Sequence, residues 1–257
     1  MFNMSKNSNS NKDTASIDSN TAHARVVKDY FKITSAVNSR SDNYESQTKG
    51  LKRGLGGWLN VENKTVLDLG SGTGELCWLA DNMGAAAVVG VNLSQDEIDF
   101  AKQNVKTTFV RQDIIEYMSQ CPAESADAIF ALNILEHLTK DDLVALLDHS
   151  RRVLKKGGQF IAMVPNATSS YGTMTRYWDI THLQAFTPSS VQQLMRLCGF
   201  SMVEFAEWGP RVHGVVSFCR YLLWQMIRIG IFLRLMIETG SAKGGVYTAD
   251  MLFRLCK

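Results

Sequence analysis

The segment Val66–Gly74 constrains the fold more than any other part of this chain, and it reads V-L-D-L-G-S-G-T-G. An apolar run with one acidic residue is followed by glycines at alternate positions, Gly70, Gly72 and Gly74. Because glycine has no Cβ, such a loop turns sharply and lets a polar ligand lie against the main chain. Apolar residues at helical spacing follow. The pattern predicts a strand, a turn and a helix, the first unit of a doubly wound α/β sheet.

The glycine spacing separates this loop from the dinucleotide-binding fingerprint. That fingerprint is G-x-G-x-x-G, whereas the third glycine of this chain, Gly74, comes one position early. The usual explanation, a backbone pressed against a pyrophosphate, is therefore weakened. An oxidoreductase that uses a nicotinamide dinucleotide becomes the weakest of the enzymatic interpretations.

The run D-L-G-S-G-T-G resembles the first motif of class I S-adenosylmethionine-dependent methyltransferases. The resemblance implies an α/β, Rossmann-like fold with a doubly wound sheet of seven strands, mostly parallel and with the last strand antiparallel. It implies S-adenosyl-L-methionine as the cofactor. In that family the glycine-rich loop makes room for the methionine part of the cofactor, and the acidic residue Asp68 helps to hold its amino group. The loop residues so implied are Gly70, Ser71, Gly72 and Gly74.

The ends of the next three predicted strands carry the remaining cofactor contacts that the resemblance implies. These strands are expected at Ala87–Val91, Thr108–Arg111 and Ala126–Leu132, from their apolar runs. In similar proteins an acidic residue after the third strand faces the adenine amino group, which here is Asp113. The complete set of expected nucleoside contacts is Asn92, Leu93, Asp113, Ile114 and Asn133.

Asn92 is the clearest departure from the family pattern. It stands where similar proteins carry an acidic residue for the two ribose hydroxyls. A carboxylate accepts both hydroxyl hydrogens, whereas an amide has one acceptor oxygen and otherwise donates. We expect weaker ribose binding, and the substitution keeps open a catalytically silent, methyltransferase-like subunit.

The sequence after the fourth strand bears on the substrate. Glu136, His137 and Leu138 form an E-H-L motif, which is frequent in similar methyltransferases that act on small molecules and quinones. Methyltransferases of base amines carry Asn-Pro-Pro-aromatic at this point, and this sequence does not. The net charge is only +2, from 27 basic and 25 acidic residues. We therefore expect no nucleic-acid partner.

A polar and aromatic loop follows the fifth strand, and it includes a D-x-T-H motif that ends at His182. Together with F-T-P and C-G-F pieces, this motif resembles a branch of bacterial methyltransferases found with polysaccharide, glycolipid and quinone biosynthesis. Loops that leave the carboxyl ends of parallel strands line the ligand crevice. The residues expected to face the substrate are Glu136, Arg176, Tyr177 and Trp178.

Two histidines are candidates for the catalytic base. Methyl transfer from a sulfonium is an in-line displacement that depends on alignment, and a hydroxyl acceptor also needs its proton removed. His182 and His137 suit that task because imidazole titrates near neutral pH, with Asp179 or Glu136 as the orienting partner. Structural histidines, or catalysis by positioning alone, are the alternatives.

The segment 212–237 is predicted to be a nearly all-apolar helix with one charged stripe. At about 100° per residue, Arg220, Arg228 and Arg234 fall within an arc of about 120°. Because arginine is costly in the middle of a bilayer, a membrane span is disfavoured, whereas an interfacial helix is plausible. A buried helix or a dimer interface is the alternative.

The domain boundaries follow from composition. Residues 1–21 are polar and predict a disordered tail without a signal peptide. Residues 22–60 predict a helical cap that includes Tyr30 and Tyr44, and residues 61–257 form the methyltransferase domain with the insertion 212–237. Five scattered cysteines without a C-x-x-C pair indicate a reducing compartment. We expect a cytoplasmic protein, at most associated with a membrane surface, that binds no metal.

The leading interpretation is an S-adenosylmethionine-dependent O-methyltransferase that acts on a sugar, a lipid-linked saccharide or a similar small molecule. A methyltransferase of a quinone or another lipophilic molecule comes next. From a different class, the chain is a silent methyltransferase-like subunit that binds a partner through the apolar helix. The sequence leaves the oligomeric state open.

Overall fold

A computed structural model of the protein describes residues 43–240 and 245–257. The predicted tail 1–21 and the first part of the cap, with Tyr30, lie outside the described residues. The helices are α1 (Tyr44–Leu55), α2 (Glu75–Asn82), α3 (Gln95–Asn104), α4 (Ile114–Gln120), α5 (Lys140–Val153), α6 (Gly172–Tyr177), α7 (Pro188–Leu197) and α8 (Val215–Thr239). The strands are β1 (Thr65–Leu69), β2 (Ala87–Asn92), β3 (Thr108–Arg111), β4 (Ala126–Leu132), β5 (Leu154–Pro165), β6 (Met202–Glu207) and β7 (Asp250–Cys256).

The seven strands form one sheet in the order β3-β2-β1-β4-β5-β7-β6. Strands β1 to β5 pair in parallel, whereas β7 pairs antiparallel to both β5 and β6. Strand β6 therefore runs in the same direction as β1 to β5, and its carboxyl end lies at the same edge of the sheet. The predicted fold, with a final antiparallel strand, is confirmed.

Alternate residues of the central strands enter two separate apolar clusters. Leu67 and Ile129 belong to one cluster, and Val66 and Phe130 belong to the other. Because successive side chains of a strand point to opposite faces, the two clusters cover the two faces of the sheet. Helices on both sides bury these strands, which explains why they read as continuous apolar runs.

The segment Lys155–Gly158 carries a glycine pair, which after a helix is typical of a turn. The structure instead includes it in a strand, since α5 ends at Val153 and β5 begins at Leu154. Leu154 is fully buried opposite Ala126, and the register shifts before the next pairs. The backbone takes up the extra residues as a bulge with a left-handed glycine, Gly157, at φ +74°.

Helix α8 follows the carboxyl end of β6 and precedes β7, as predicted, but its bounds are shifted from 212–237 to Val215–Thr239. The alternative of a buried helix is wrong for the described chain, because Ser217 is the one residue of α8 that the described chain buries. Among the described residues it is the one helix that is long and apolar enough to cross a membrane, judged by length and composition.

Candidate functional site

The three glycines of the loop after β1 all have a left-handed backbone, but their surroundings differ. A Cβ on Gly70 would lie 2.0 Å from Cδ1 of Ile134, and one on Gly74 would lie 2.9 Å from Cζ of Phe109. A Cβ on Gly72 would meet no atom of the described chain within 4 Å. Packing therefore requires the outer two glycines, while the middle one faces open space in which a ligand has room.

The glycine loop is fixed from two sides. The backbone N–H groups of Gly70 and Ser71 donate to the carbonyl oxygen of Val91 at the end of β2. On the other side the Tyr44 hydroxyl donates to the carbonyl oxygen of Thr73 at 2.5 Å. Tyr44 is buried in α1, so the described part of the predicted cap holds the loop through packing and one hydrogen bond.

Asp68 lies directly before the loop, at the end of β1. It is buried and accepts a weak hydrogen bond from the Cys77 thiol at 3.4 Å. Burial raises the pKa of Asp68 to about 7, and the negative charge of Glu75 adds to the effect. A positively charged group placed beside Asp68 would favour its ionised form, because opposite charges stabilise each other strongly in a buried site.

Asn92 uses both hydrogens of its amide group, and one acceptor position of its amide oxygen, inside the protein. Its Nδ2 donates to the carbonyl oxygen of Gly72 at 3.2 Å and to Oε2 of Glu97 at 2.9 Å. Its Oδ1 accepts from the backbone N–H of Leu93 at 2.8 Å. Asn92 thus joins the glycine loop to the Glu97 carboxylate in the first turn of α3.

Sequence reasoning missed Glu97. The available signal was the S-x-x-E pattern from Ser94 to Glu97, which predicts a helix start, and the Ser94 hydroxyl does accept from the Glu97 backbone N–H at 3.3 Å. The pattern places an acidic side chain five positions after Asn92. It does not reveal that the chain brings that side chain back to the end of β2.

The expected nucleoside contacts beyond β2 lie at the same edge of the sheet. Asp113 caps α4, since its Oδ1 accepts from the backbone N–H groups of the first helical turn. Ile114 beside it is buried, whereas Leu93 is exposed. Asn133 ends β4 with a left-handed backbone at φ +55° and is exposed.

Glu136 lies in the short 3-10 helix Leu135–His137 that follows β4. It is fully buried, and neither carboxylate oxygen has a hydrogen-bond partner among the described residues. Burial raises the pKa of Glu136 to about 8, and the nearby charges of Asp250 and Asp179 contribute to the increase. Nε2 of His182 lies 3.9 Å from Oε1 of Glu136. The rings of His182 and His137 meet edge to face at 4.8 Å between centroids.

Hydrogen bonds fix the orientation of both histidine rings. Nδ1 of His182 donates to the carbonyl oxygen of Thr175 at 2.9 Å. The Thr181 hydroxyl donates to Oδ1 of Asp179 at 2.6 Å and lies 2.8 Å from Nδ1 of His137. Because the Thr181 hydrogen is used by Asp179, His137 donates to Thr181. In each neutral ring the proton is therefore on Nδ1.

The structure brings together four of the predicted catalytic and substrate residues, Glu136, His137, Asp179 and His182. The other three are outside that cluster. Nη2 of Arg176 donates to the Leu183 carbonyl oxygen at 2.7 Å, and its guanidinium lies over the neighbouring Tyr177 ring. Tyr177 and Trp178 are strongly exposed on the surface of the loop. The predicted substrate roles of these three residues stay predictions.

Known proteins resemble both the sequence and the fold. A ribosomal protein L11 methyltransferase of Clostridium perfringens is 34% identical over 100 residues, 38% of this chain and 30% of that relative. The match thus spans about a third of the relative's length. Two solved structures share the fold. A SAM-dependent methyltransferase from Archaeoglobus fulgidus has a TM-score of 0.63 at 22% identity, covering 89% of this chain and 99% of its own. A phosphoethanolamine N-methyltransferase 2 of Haemonchus contortus, solved with phosphomonomethylethanolamine and S-adenosylhomocysteine, has a TM-score of 0.54 at 18% identity, covering 83% and 52%.

The family assignment comes from a model of the methyltransferase domain, which matches residues 43–205. That range begins just before α1 and ends in β6, so it contains the glycine loop, Asn92 and the Glu136 cluster. The chain therefore belongs to the methyltransferase domain family, whose cofactor is S-adenosylmethionine.

Proposed function

We propose that this protein transfers a methyl group from S-adenosylmethionine to a hydroxyl group of a saccharide or a lipid-linked saccharide. The observation that carries the proposal is the buried cluster of Glu136, His137 and His182, which follows β4 beside the glycine loop. The two sites are in contact, since Gly70 packs against Ile134 immediately before the cluster. A polar, water-poor site next to the methyl donor suits the removal of a hydroxyl proton.

The residues at the ends of β1 and β2 fit the cofactor. We propose that the methionine part occupies the open space at Gly72 against the backbone, and that Asp68 holds its ammonium group. For the ribose we propose Glu97 rather than Asn92, because a carboxylate accepts both hydroxyl hydrogens while the amide is already engaged. Asn92 then orients Glu97. When bound, the cofactor supplies a methyl group on a sulfonium, an electrophilic carbon.

The remaining predicted contacts complete the nucleoside site. One carboxylate oxygen of Asp113 caps α4. We propose that its second oxygen accepts a hydrogen bond from the adenine amino group. Leu93 follows β2 and Ile114 follows β3, and both offer apolar surface, while Asn133 follows β4 directly before the cluster. These roles remain proposals that cofactor titrations of single variants would test.

We propose His182 as the group that receives the acceptor proton. Its Nδ1 proton is held by Thr175, so Nε2 is the basic atom, and it faces Glu136. With the cofactor bound, Nε2 would take the proton of the acceptor hydroxyl, while the sulfonium would supply the methyl group and keep the electrons of the carbon–sulfur bond. Asp179 is a positioning residue that acts on His137 through Thr181.

The surface of helix α8 is the observation that favours an acceptor presented at a membrane. The helix turns polar side chains toward the protein and apolar side chains outward, the reverse of an ordinary surface helix. Its sheltered side carries polar groups: Trp224 donates to Glu207 at 3.1 Å, and the Arg228 Nε lies 3.3 Å from the same carboxylate. Its outer side carries exposed apolar side chains, namely Val215, Val216, Phe218, Tyr221, Leu222, Leu223, Met226, Ile227, Ile229, Phe232, Leu233, Met236 and Ile237.

These side chains cover an arc of roughly 240° at 100° per residue, whereas the stripe that a helix usually buries against a protein core is nearer 100° wide. A single packed neighbour would leave much of that arc in water. Arg220 and Arg234 lie at the margin of the arc, where long side chains reach back to headgroups. We therefore propose that α8 lies in the membrane interface at the carboxyl edge of the sheet.

Two measurements test the proposal. S-adenosylhomocysteine is titrated into the purified protein, with Gly72→Val as the control that should lose binding, and NAD is expected not to bind. Methyl transfer is then assayed on lipid-linked saccharides, free saccharides and quinones. Methyl transfer to quinones alone would reject the saccharide as the substrate and favour a lipophilic small molecule instead. Cofactor binding without any turnover, together with a co-purifying protein, would indicate the silent subunit.

Membrane contact is tested by flotation with phosphatidylglycerol vesicles. Leu222→Glu with Met226→Glu, in the middle of the apolar arc, should reduce the bound fraction about tenfold. Leu197→Glu, at an exposed leucine of α7, is the matched control and should float like the wild type. Equal flotation of all three proteins, or a concentration-dependent dimer that the double variant disrupts, would reject the membrane contact.

A further inference from the structure

We infer that Glu136, His137 and His182 form a binding site for a divalent transition-metal ion. The ligand atoms of these three side chains all lie within 4.8 Å of one another. They come from two segments far apart in the chain, the 3-10 helix after β4 and the loop after α6. The fold thus places two imidazoles and one carboxylate around a single point.

The donor set selects the class of ion. Imidazole nitrogens suit zinc, iron, copper and nickel, and two histidines with one carboxylate form a known triad for Zn²⁺ or Fe²⁺ that leaves coordination positions open. Bonds to such ions are about 2.0–2.2 Å long. The 3.9 Å between Nε2 of His182 and Oε1 of Glu136 therefore needs only a small contraction around an ion.

The hydrogen bonds behind the histidines match those of metal ligands. A ligating histidine usually donates its second N–H to a carbonyl or a carboxylate, which fixes the tautomer and the ring orientation. His182 donates to the Thr175 carbonyl, and His137 donates to Thr181, which in turn donates to Asp179. Both rings are thereby left with a basic Nε2.

Glu136 supplies the independent observation. Its side chain is fully buried, and both of its oxygens lack a hydrogen-bond partner among the described residues. A buried carboxylate without partners is costly, so the group takes up a proton unless a cation compensates its charge. The neighbouring acidic groups that act on Glu136 are Asp179 and Asp250, so the local charge also favours a cation.

The metal site itself does not depend on the proposed function. Only the role of the ion in methyl transfer rests on it. A bound ion with an open position would coordinate the acceptor hydroxyl and lower its pKa, and His182 would then act as a ligand instead of the proton acceptor. The five cysteines, which predict no metal site, are not part of this cluster.

Direct metal binding tests the inference. The full chain is freed of metal with EDTA and titrated calorimetrically with Zn²⁺ and Mn²⁺, and Co²⁺ is added to read the visible spectrum of the coordinated ion. We expect one ion per chain and a Co²⁺ spectrum typical of nitrogen and oxygen ligands. Glu136→Gln and His182→Ala should each weaken binding by about 100-fold, and Asp179→Asn by about tenfold. His213→Ala, at an exposed histidine outside the cluster, should bind like the wild type.

Titration with S-adenosylhomocysteine verifies that each variant is folded. The inference fails if the wild type binds no ion stoichiometrically, or if both cluster variants retain cofactor binding and the affinity of the wild type for the metal. Its failure is distinguishable from that of the proposed function, because methylation of a saccharide by EDTA-treated protein would leave the function standing. Metal binding without methylation of any saccharide would leave the site standing.

Discussion

The carboxyl edge of the sheet has two halves that are built differently. In the half proposed to bind the cofactor, the cofactor half at β1 and β2, the polar groups of Asp68, Asn92 and Glu97 form hydrogen bonds within a continuous stretch of sequence. In the half proposed to bind the acceptor, the acceptor half at β4, Glu136 is buried with no hydrogen-bond partner among the described residues, and His182 comes from a distant loop.

The difference indicates how specificity is divided along the edge. The cofactor half is complete before any ligand arrives, because its loop geometry is set by packing and backbone hydrogen bonds. The acceptor half leaves the buried carboxyl group of Glu136 without a hydrogen-bond partner among the described residues, so a ligand can supply one. We expect substitutions in the first half to affect cofactor affinity and stability, and substitutions in the second to affect turnover.

The largest expected effect separates turnover from cofactor binding. His182→Ala should lower the turnover number by about 10²–10⁴-fold, because it removes the proton acceptor or metal ligand. Its affinity for S-adenosylhomocysteine should stay within about twofold of the wild type. Calorimetry and an initial-rate assay on the same preparation measure both. A parallel loss of affinity would show that the two halves are one site.

Asp68→Asn should change the pH dependence of stability in the cofactor-free protein. The pKa of Asp68 is raised from 3.8 to about 7, so the folded state holds the proton more tightly than the unfolded state. Wild-type stability therefore falls as the pH rises from about 4 to 7. The variant should be more stable at pH 8 by a few kcal/mol, on the order of 2–4, and equal to the wild type near pH 4.

Denaturant unfolding at the two pH values measures this difference. Glu45→Gln, at an exposed carboxylate of α1, is the matched control and should show no such dependence. An advantage of Asp68→Asn that is the same at pH 4 and pH 8 would contradict the assignment to ionisation.

The glycines of the loop allow a sharper comparison within the cofactor half. Gly74→Ala should lower the free energy of unfolding by about 2–3 kcal/mol, from backbone strain and contact with Phe109. Gly72→Ala should cost only about 1 kcal/mol, from strain alone, yet it should weaken binding of S-adenosylhomocysteine more. Thermal melting measures which variant is less stable, and calorimetry measures which variant binds S-adenosylhomocysteine more weakly. Equal destabilisation by both would contradict the packing difference.

The smallest expected effect concerns Glu97. Glu97→Gln should weaken S-adenosylhomocysteine about tenfold through loss of the charged acceptor, and the loss should vanish for the 2′,3′-dideoxy analogue. The exchange Asn92→Asp with Glu97→Gln restores one carboxylate at the same place and should recover most of the affinity. An equal loss for the ligand with and without hydroxyls would mean that Glu97 acts only through the start of α3.

Much of the sheet was predictable because its signals are local. The bounds of β3 and β4 agree with the prediction, and the glycine loop follows β1 as expected. The bulge at Lys155–Gly158 was not predicted, since glycines after a helix usually indicate a turn and the burial of Leu154 depends on its distant partner Ala126.

The sequence predicted which residues belong to the candidate site, but not how they are arranged in space. Sequence motifs identified Glu136, His137 and His182 separately, but the 3.9 Å approach of His182 to Glu136 depends on the path of the loop after β5. Glu97 was missed because its S-x-x-E pattern has an ordinary structural explanation. The orientation of α8 could not be predicted from the sequence, because composition does not show which side of the helix faces Glu207.

The strand order has a consequence for how the chain folds during synthesis. Strand β6 pairs with β7, which is made after α8 and lies between β5 and β6 in the sheet. Until β7 has left the ribosome, β6 lacks this partner, and α8 emerges tethered to an unpaired strand. Such intermediates expose apolar surface and are prone to aggregate. The apolar helix α8 is thus accessible to chaperones or lipid before β7 pairs with β6. Delayed translation of β7 should prolong that interval.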